Sequence, residues 1–268
     1  MAERANTGHL RIAVCQTAVV ADIWRNADAI VQCLEAAAAR GADLAHFCEG
    51  ALSGYAKAQI KTWSGYDFEE LLRQTERIQA ACQRLGVWAV FGSVSPSGVV
   101  DRPFNSLLAI DAHGRLVARY DKRFCSFTEV KDWYAEGDRP VFISVNGLTL
   151  GFAACIEIQF PELFQEYEAL GADIVLFSSY SDNAMFTVQA QGHAACNCLW
   201  ISSACPAGGA EQAACLIGPD GRLIDAREAG APQMIVQDVV PSDPKWEIPL
   251  RRARPWRRQK RRDKAGGV

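Results

Sequence analysis

Short apolar segments alternate with longer amphipathic ones along most of this chain, and this alternation limits the folds that are open to it. Apolar residues at helical spacing, closed by a glycine, predict helices, and short apolar runs that end at turns predict strands. The predicted helices are Asn26 to Arg40, Phe68 to Leu85, Pro161 to Leu170 and Phe186 to Cys198. The predicted strands are Leu10 to Cys15, Leu44 to Phe47, Val87 to Val94, Asn105 to Asp111, Leu116 to Tyr120, Val141 to Val145, Leu148 to Ala154, Ile174 to Ser178, Leu199 to Ala204, Cys215 to Ile217, Leu223 to Asp225 and Met234 to Val239. Strand–helix units with interspersed hairpins predict a layered α/β fold, not an all-α or an all-β one.

Length and composition fit one soluble domain. The chain has 268 residues, of which 49% are hydrophobic and 22% charged, so it can bury a full core. No apolar run is long enough to span a membrane, and the polar N-terminus, Met1 to Asn6, lacks the apolar core of a signal peptide. We therefore expect a cytoplasmic protein without a membrane partner. Its single domain covers residues 1–268, with a core over 10–240, a basic tail over 251–268, and loosely held ends at 1–8 and 255–268.

The C-terminal tail is basic, whereas the rest of the chain is acidic. Nine basic residues and one acid, Asp263, lie between Arg251 and Lys264, so this segment carries +8 and the remainder −11 of the net −3. Such a tail can bind nucleic acid, stay solvated, or pair with the acidic body or with a partner subunit. Because Trp256 is its one aromatic residue that can stack on bases, we do not expect nucleic acid as a partner.

The ten cysteines predict reduced thiols, because a long chain without a signal peptide is not a disulfide-rich secreted domain. Cys196 and Cys198 lie close to His193 in sequence, which is reminiscent of a metal site. No second ligand pair with zinc spacing accompanies them, and the surrounding apolar residues indicate a buried helix end. We therefore expect no metal.

Cys155 differs from the other cysteines in its position. The predicted strand Leu148 to Ala154 runs directly into it, and a helix start, Phe160 to Glu162, follows after a turn. A thiol at a strand-to-helix turn lies at the sheet edge, where substrate can reach it. A nearby helix N-terminus favours the thiolate, which is the nucleophilic form.

Three further charged residues lie where predicted strands end. Glu49 follows the strand that begins at Leu44, Lys122 follows the strand that begins at Leu116, and Glu129 comes shortly afterwards. Together with Cys155 they form a set at successive strand ends, in the crevice where α/β sheets bind ligands.

These residues, in this order, resemble the nitrilase superfamily of carbon–nitrogen hydrolases, in its amidase-like branch. Glu49, Lys122 and Cys155 match the three family motifs, and Glu129 matches a second glutamate that the family carries after the lysine. Other family-like features are Phe160-Pro161-Glu162, Gly54-Tyr55, Asn105, Gly137-Asp138, Gly171-Ala172, Asn197 and Gly218-Pro219-Asp220-Gly221. The resemblance covers residues 10–240 and implies an α-β-β-α sandwich. It also implies a homodimer, or a larger homo-oligomer, in which two sandwiches pack to α-β-β-α-α-β-β-α, with the helix that begins at Phe160 in the interface.

The resemblance further implies a cysteine hydrolase that needs no cofactor. Glu49 takes the proton of the Cys155 thiol, which attacks the substrate carbon. The Lys122 ammonium and the backbone N–H of Ile156 hold the oxyanion, and Glu129 orients Lys122 or the substrate nitrogen. Ammonia leaves, and Glu49 then activates the water that hydrolyses the thioester.

The residues around the motifs restrict the substrate class. Ile156-Glu157 follows the cysteine where true nitrilases tend to carry Trp-Glu, which favours amides over nitriles. Ile158 and Gln159 stand where carbamoylases of amino acids carry two arginines, so we expect no carboxylate clamp there. The sequence also departs from the family at Cys48, where proline is usual, at Arg123-Phe124, where His-Leu is common, and at Cys205, where asparagine is frequent.

The expected reaction is hydrolysis of a small primary amide or N-carbamoyl compound to a carboxylic acid and ammonia. Glu157 and Asp182 are candidates for receiving a cationic amine. Two alternatives use the same fold, a nitrilase and an enzyme that transfers the acyl group to an amine. A third is a non-catalytic binding or scaffold protein that uses the basic tail. The candidate substrate-binding residues are Tyr55, Phe127, Trp133, Ile156, Glu157, Tyr180 and Asp182.

Overall fold

The computed structural model describes residues 8–98 and 102–265. The strands are β1 Leu10–Gln16, β2 Leu44–His46, β3 Trp88–Ser95, β4 Phe104–Ile110, β5 Leu116–Asp121, β6 Phe142–Val145, β7 Leu148–Ala154, β8 Ile174–Ser178, β9 Trp200–Ala204, β10 Cys215–Ile217, β11 Leu223–Ala226 and β12 Gln233–Val239. The α-helices are α1 Ile23–Ala39, α2 Phe68–Leu85, α3 Phe127–Asp132, α4 Pro161–Ala169, α5 Ala184–Asn197 and α6 Arg254–Ala265. A 3-10 helix, Cys155–Gln159, joins β7 to α4, and the helical turns Pro244–Trp246 and Glu247–Ala253 lead into α6.

The strands form two six-stranded sheets, in the orders β12-β1-β2-β3-β4-β5 and β11-β10-β9-β8-β7-β6. Parallel pairs join β1, β2 and β3 in the first sheet and β7, β8 and β9 in the second, and the remaining pairs are antiparallel. Because β5 is antiparallel to β4, and β4 to β3, strand β5 runs in the same direction as β2. The carboxyl ends of β2 and β5 therefore lie at one edge of the first sheet, where a ligand site is expected.

Alternate strand residues face different layers of the molecule. In β1, Leu10, Ile12 and Val14 pack between the two sheets, whereas Ala13 and Cys15 belong to the apolar cluster under α1 and α2. A third cluster lies between the second sheet and the helices α4 and α5. The layers are thus helix, sheet, sheet, helix, which confirms the predicted α-β-β-α sandwich.

A buried histidine links the two sheets close to the edge where β2 ends. His46 Nδ1 lies 2.8 Å from the hydroxyl of Ser202 on β9, and Nε2 lies 2.9 Å from that of Ser178 on β8. Ser178 donates its proton to the carbonyl of Phe47, so Nε2 donates to Ser178 and Nδ1 accepts from Ser202. Burial lowers the pKa of His46 to about 3, which keeps the ring neutral. These bonds fix the segment that leads to Glu49 against the second sheet.

The predicted elements agree closely with the structure inside the sandwich. The helix Phe68–Leu85 and the strands Leu148–Ala154 and Ile174–Ser178 have the predicted bounds, and most other ends differ by one to three residues. The short helix α3 was not predicted, because six residues are too few to show a helical period.

The prediction of a loosely held C-terminus is wrong for the part that the structure describes. Residues Arg254–Ala265 form α6, and three of its arginines, Arg254, Arg258 and Arg261, pair with the buried carboxylate of Glu168 on α4. The tail thus pairs with the acidic body, which is one of the alternatives left open by its charge. Residues 1–7 and 266–268 lie outside the described residues.

Candidate active site

Three charged side chains meet at the edge where β2 and β5 end. The Nζ atom of Lys122 lies 2.9 Å from Oε1 of Glu49, and 2.9 Å and 3.1 Å from the two carboxylate oxygens of Glu129. All three residues are buried, with 0% exposure for Lys122 and Glu49 and 1% for Glu129. We call this set the Lys122 cluster. A lysine held between two carboxylates keeps its proton.

Glu49 is held by groups outside the cluster as well. The side-chain amide of Asn105, on β4, donates to its Oε1 at 2.6 Å, and the backbone N–H of Tyr180 donates to its Oε2 at 2.9 Å. Asn105 was noted in the sequence as a family-like feature, but not as a site residue. The sequence feature that could have identified Asn105 is a polar amide near the start of the mainly apolar strand β4. The Asn105 side chain is buried in the structure.

The turn that carries Glu49 packs directly on the backbone of β3. At Gly92 a Cβ atom would lie 2.2 Å from the amide nitrogen of Gly50 and 2.6 Å from the carbonyl oxygen of Cys48. Gly50 itself has a φ of 66°, in the left-handed region. A side chain at Gly92 would displace this turn, so a glycine is required inside β3.

Glu129 is oriented by the helix on which it lies. Ser126 is the N-cap of α3, and its hydroxyl accepts a bond from the backbone N–H of Glu129. In return, Glu129 Oε2 accepts from the backbone N–H of Ser126 at 2.7 Å. This reciprocal capping box fixes the glutamate side chain. Tyr55 completes the arrangement, since its hydroxyl lies 3.0 Å from Glu129 Oε1.

Cys155 stands at the end of β7 in a backbone conformation that is uncommon for its residue type. Its φ is 49°, and the residue starts the 3-10 helix Cys155–Gln159 directly, without the predicted intervening turn. It is 9% exposed. Strand β7 pairs in parallel with β8, with Ala154 opposite Ser178, so Cys155 lies beside the segment that carries Tyr180.

The environments of the titratable groups push their pKa values in different directions. Burial raises the pKa of Glu49, although Lys122 opposes this shift. Burial also acts to raise the pKa of Glu129, but Lys122 and the hydrogen bonds from Ser126 lower it. Glu129 therefore stays ionised, whereas Glu49 is the better proton acceptor, a division typical of acid–base sites.

The thiol and the lysine respond to the same charges in opposite ways. Burial, followed by the charge of Glu49, raises the pKa of Cys155, and these effects outweigh the helix start, which favours the thiolate. Burial would lower the pKa of Lys122, but the surrounding acidic groups, led by Glu49, raise it well above its usual value. A nucleophilic role for Cys155 would therefore require a base nearby.

Two tyrosines lie beside this cluster and bond to its carboxylates, Tyr55 through its hydroxyl and Tyr180 through its backbone N–H. Tyr55 stacks on Tyr180 with ring centroids 4.6 Å apart and an interplanar angle of 12°. Gln59 donates its side-chain amide to the Tyr180 hydroxyl at 2.7 Å, which fixes the pair. The structure thus brings both of these predicted pocket residues to the Lys122 cluster. Ile156 follows the cysteine and is half-buried.

Two other predicted pocket residues lie at the margin. Phe127 starts α3 and is 80% exposed, so it can contact only a substrate that reaches the rim. Trp133 ends α3 and packs edge-on against Trp63, with ring centroids 6.2 Å apart. Its backbone carbonyl accepts a hydrogen bond from Trp63 Nε1 at 2.8 Å, so Trp133 contributes to the packing around Trp63.

The expectation that Glu157 and Asp182 receive a cationic amine does not fit their positions. Glu157 is fully buried, and its carboxylate already accepts four hydrogen bonds from the protein. Asp182 is exposed, but its carboxylate accepts from the backbone N–H groups of residues 210–212, which also lower its pKa. Both carboxylates brace loops instead of facing an open pocket.

The sequence pattern of His193, Cys196 and Cys198 near the end of α5 does not form a metal site in the structure. His193 stacks on Phe164 at 4.1 Å, and its Nε2 lies 2.8 Å from the carbonyl oxygen of Ile158. Cys196 is exposed, and all ten cysteines are free thiols. Within residues 8–98 and 102–265, no group of three or more His, Cys, Asp or Glu side chains is placed to hold a metal ion.

Within the same described ranges, no helix has the length and apolar composition needed to cross a membrane.

Comparisons with known proteins agree with this arrangement. Residues 11–243 match the family model of the carbon-nitrogen hydrolases. The chain is 26% identical over 241 residues to a chloroplastic omega-amidase of Arabidopsis thaliana, which covers 81% of this chain and 64% of the relative. It is 30% identical over 115 residues to a deaminated glutathione amidase of Yersinia enterocolitica, which covers 37% of this chain and 39% of that protein. The matches thus span less than two thirds of each of these relatives.

The fold also matches solved structures. A cysteine-to-alanine mutant of an amidase from Nesterenkonia AN1, of the nitrilase superfamily, superposes with a TM-score of 0.79 at 24% identity. The match covers 92% of this chain and 97% of that one. Since the family model covers most of the chain, this protein belongs to the carbon-nitrogen hydrolase family.

Proposed function

We propose that this protein is a cysteine amidase that hydrolyses a small primary amide or N-carbamoyl compound to a carboxylic acid and ammonia. The observation that carries the proposal is the Lys122 cluster, whose two carboxylates and one ammonium act electrostatically on the thiol of Cys155. A base, a cation and a nucleophile within one buried site are the groups that acyl transfer needs.

In the first half-reaction Glu49 accepts the thiol proton as the sulfur attacks the amide carbon. The raised pKa of Glu49 suits it to this transfer, because a base is most efficient when its pKa approaches the working pH. The C–N bond breaks, Glu49 returns the proton to the leaving nitrogen, and ammonia departs. A thioester between the acyl group and Cys155 remains.

In the second half-reaction a water molecule enters where ammonia left. Glu49 accepts a proton from the water, whose oxygen attacks the thioester carbon. The C–S bond breaks, the sulfur recovers its proton from Glu49, and the carboxylic acid is released. Each turnover thus consumes one amide and one water and restores Glu49 and Cys155.

The negative charge on the reacting oxygen is stabilised in both steps by Lys122, with the backbone N–H of Ile156 as a second donor. Glu129 supports Lys122 directly, since both of its oxygens lie within 3.1 Å of the lysine Nζ. This geometry favours orientation of Lys122 over orientation of the substrate nitrogen as the role of Glu129.

A small substrate fits the surroundings of the thiol. Cys155 is only 9% exposed, and the stacked rings of Tyr55 and Tyr180 lie beside the Lys122 cluster, to which both residues bond. Relatives named omega-amidase, deaminated glutathione amidase and formamidase support an amide as the reacting group. Ile156 stands where nitrilases tend to carry Trp, which also favours an amide over a nitrile as the substrate.

We also propose that the protein works in the cytoplasm as a homodimer or larger homo-oligomer. The family resemblance assigns α4 to the interface between subunits. The exposed residues Pro161, Glu162 and Gln165 on α4 are available for such a contact. Sedimentation velocity of the purified protein tests the assembly, and a monomer at micromolar concentration would contradict it.

The function is tested by incubating the protein with a panel of primary amides, N-carbamoyl compounds and the matching nitriles. Ammonia and acid should appear in equal amounts from at least one amide or carbamoyl compound. Cys155→Ala should abolish the reaction, whereas Cys196→Ala, which removes an exposed thiol, should not.

Other outcomes separate the alternatives. Ammonia release without acid, in the presence of an amine, would indicate acyl transfer, and turnover of nitriles alone would indicate a nitrilase. Failure of every compound, with binding properties unchanged by Cys155→Ala, would indicate a binding or scaffold protein.

A further inference from the structure

Glu157 occupies an unusual position for an acidic residue. Its side chain is fully buried, two residues after Cys155, and does not take part in the Lys122 cluster. Oε1 accepts from the hydroxyl of Tyr120 at 2.7 Å and from the backbone N–H groups of Arg123 at 2.8 Å and Phe124 at 3.1 Å. Oε2 accepts from the backbone N–H of Ala154 at 2.7 Å.

The four donors flank two of the proposed catalytic residues. Tyr120 lies two residues before Lys122, and the two backbone donors at positions 123 and 124 lie directly after it. The donor from Ala154 lies directly before Cys155. One carboxylate therefore connects the segment that carries the lysine, in the first sheet, to the segment that carries the thiol, in the second.

The hydrogen bonds require Glu157 to be ionised. Three of the partners are backbone N–H groups, which can only donate, and a carboxylate accepts from all four partners, whereas an amide would place a donor against a donor. Burial raises the pKa of Glu157, but the bonds from Tyr120 and the backbone, together with the charge of Lys122, favour the charged form. An anion fixed at this point is the only state that satisfies all four donors.

The bond to Ala154 acts on the strained part of the backbone. Cys155 adopts a φ of 49°, which costs about 1 kcal/mol or more for a residue other than glycine. Such a conformation persists where neighbouring bonds determine it. Glu157 supplies one of them, since its side chain reaches back to the backbone N–H that precedes the cysteine.

We propose that Glu157 is a positioning residue, which holds Lys122 and Cys155 in the relative placement that acyl transfer needs. This inference rests on the proposed function for its kinetic consequence. Glu157 itself does not contact the substrate. Its effect is on the distance and orientation between the sulfur and the ammonium group.

The test compares Glu157→Gln with Glu76→Gln, which makes the same change at an exposed position on α2, away from the proposed subunit interface. We expect Glu157→Gln to lower kcat about 100-fold, with KM changed less than about threefold, because a small misplacement of reacting groups costs about that much. The rate of Cys155 alkylation by iodoacetamide should fall as well. Glu76→Gln should leave both unchanged, and Glu157→Asp should restore part of kcat, since it keeps the charge.

Tyr120→Phe gives a second measurement that does not depend on the folding of Glu157→Gln. It removes one of the four donors but keeps the buried ring, which stacks on Phe152 at 6.0 Å. We expect kcat to fall about 3- to 10-fold, the effect of one lost hydrogen bond. If Glu157→Gln does not fold, unchanged kcat and unchanged alkylation in Tyr120→Phe overturn the proposal.

The outcomes distinguish this inference from the proposed function. Folded Glu157→Gln with kcat and alkylation rate within twofold of the parent would overturn the positioning role and leave the amidase proposal intact. If the parent hydrolyses no amide, but Glu157→Gln still slows alkylation of Cys155 and Glu76→Gln does not, the positioning of the thiol stands and the proposed function fails.

Discussion

The protein holds two buried ion clusters in which the charges are arranged in opposite ways. In the Lys122 cluster one cation lies between the carboxylates of Glu49 and Glu129, and none of their side chains is more than 2% exposed. Around Glu168, in contrast, one buried carboxylate receives three arginines of α6. These arginines keep 11%, 38% and 34% of their side chains exposed.

The two clusters differ in how far water can screen their charges, and this indicates different roles. The Lys122 cluster has no solvent to screen it, so each of its charges acts strongly on its neighbours and on the thiol of Cys155. The arginines around Glu168 can turn to water when a partner is lost, so each bond there is worth less. We conclude that the first arrangement suits chemistry and the second suits attachment of the C-terminal helix to the body.

The largest effect is expected from Lys122→Met, which keeps the length of the side chain and removes its charge. Two buried carboxylates would then face each other without a cation, which should lower the stability by about 3–5 kcal/mol. Loss of the oxyanion partner should also lower kcat/KM by about 100- to 1000-fold or more. Chemical denaturation and amide hydrolysis measure the two effects. Lys131→Met, at an exposed position on α3, is the control and should be near neutral.

Glu49→Gln is expected to separate activity from stability within the same cluster. The amide oxygen can still accept the bond from Asn105, but the NH2 group would face the backbone N–H of Tyr180, so we expect a stability loss of about 1–3 kcal/mol. Lys122 keeps Glu129, so this loss should be smaller than that of Lys122→Met. Loss of the general base should lower kcat by about 100- to 10,000-fold. A loss of stability as large as that of Lys122→Met would show that Glu49 is mainly structural.

The pH dependence of kcat/KM should reveal the shifted carboxyl. A raised pKa means that Glu49 keeps its proton to a higher pH than an ordinary glutamate. The base form is therefore lost as the pH falls through this raised value, so the acid limb should lie above the usual glutamate pKa of about 4.3. It should fall about tenfold per pH unit below the midpoint, as expected for one essential base. An acid limb centred at or below the usual value would contradict the assignment.

Glu168→Gln is expected to have the smallest effect on activity. It leaves three arginines without their shared anion, but these side chains can reach water, so we expect a loss of about 1–3 kcal/mol in stability. kcat should stay within about twofold, because α6 contacts no residue of the Lys122 cluster in the described part of the chain. Limited proteolysis within α6 should become faster. Glu76→Gln, an exposed residue of α2, is the matched control.

The sequence allowed much of this arrangement to be predicted, because strong patterns underlie it. Periodicity identified the strands, and strand ends identified Glu49, Lys122 and Cys155 as neighbours. What it could not supply was the direction of side chains. Glu157 has the charge and position of a pocket residue, yet its carboxylate turns inward to four donors. Most of these donors are distant in sequence, so tertiary contacts determine its direction.

The C-terminal helix illustrates a second limit of the sequence. Its place at the end of the chain suggested a loosely held segment, whereas its charge left pairing with the acidic body as one of several alternatives. The partner that neutralises them, Glu168, lies far away in the chain and belongs to a helix whose own sequence gives no sign of this role. Asn105 was overlooked as a site residue for the same reason, because its carboxylate partner is distant in sequence.

The most direct test of the central proposal is to trap the acyl group on the protein. The enzyme is quenched in acid during steady turnover of a primary amide, and its intact mass and peptides are measured. The expected result is a mass increase equal to the acyl group minus one hydrogen, located on Cys155, which hydroxylamine removes and which Cys155→Ala lacks. An acyl group on Cys48 or Cys125, or undiminished hydrolysis by Cys155→Ala, would contradict the account.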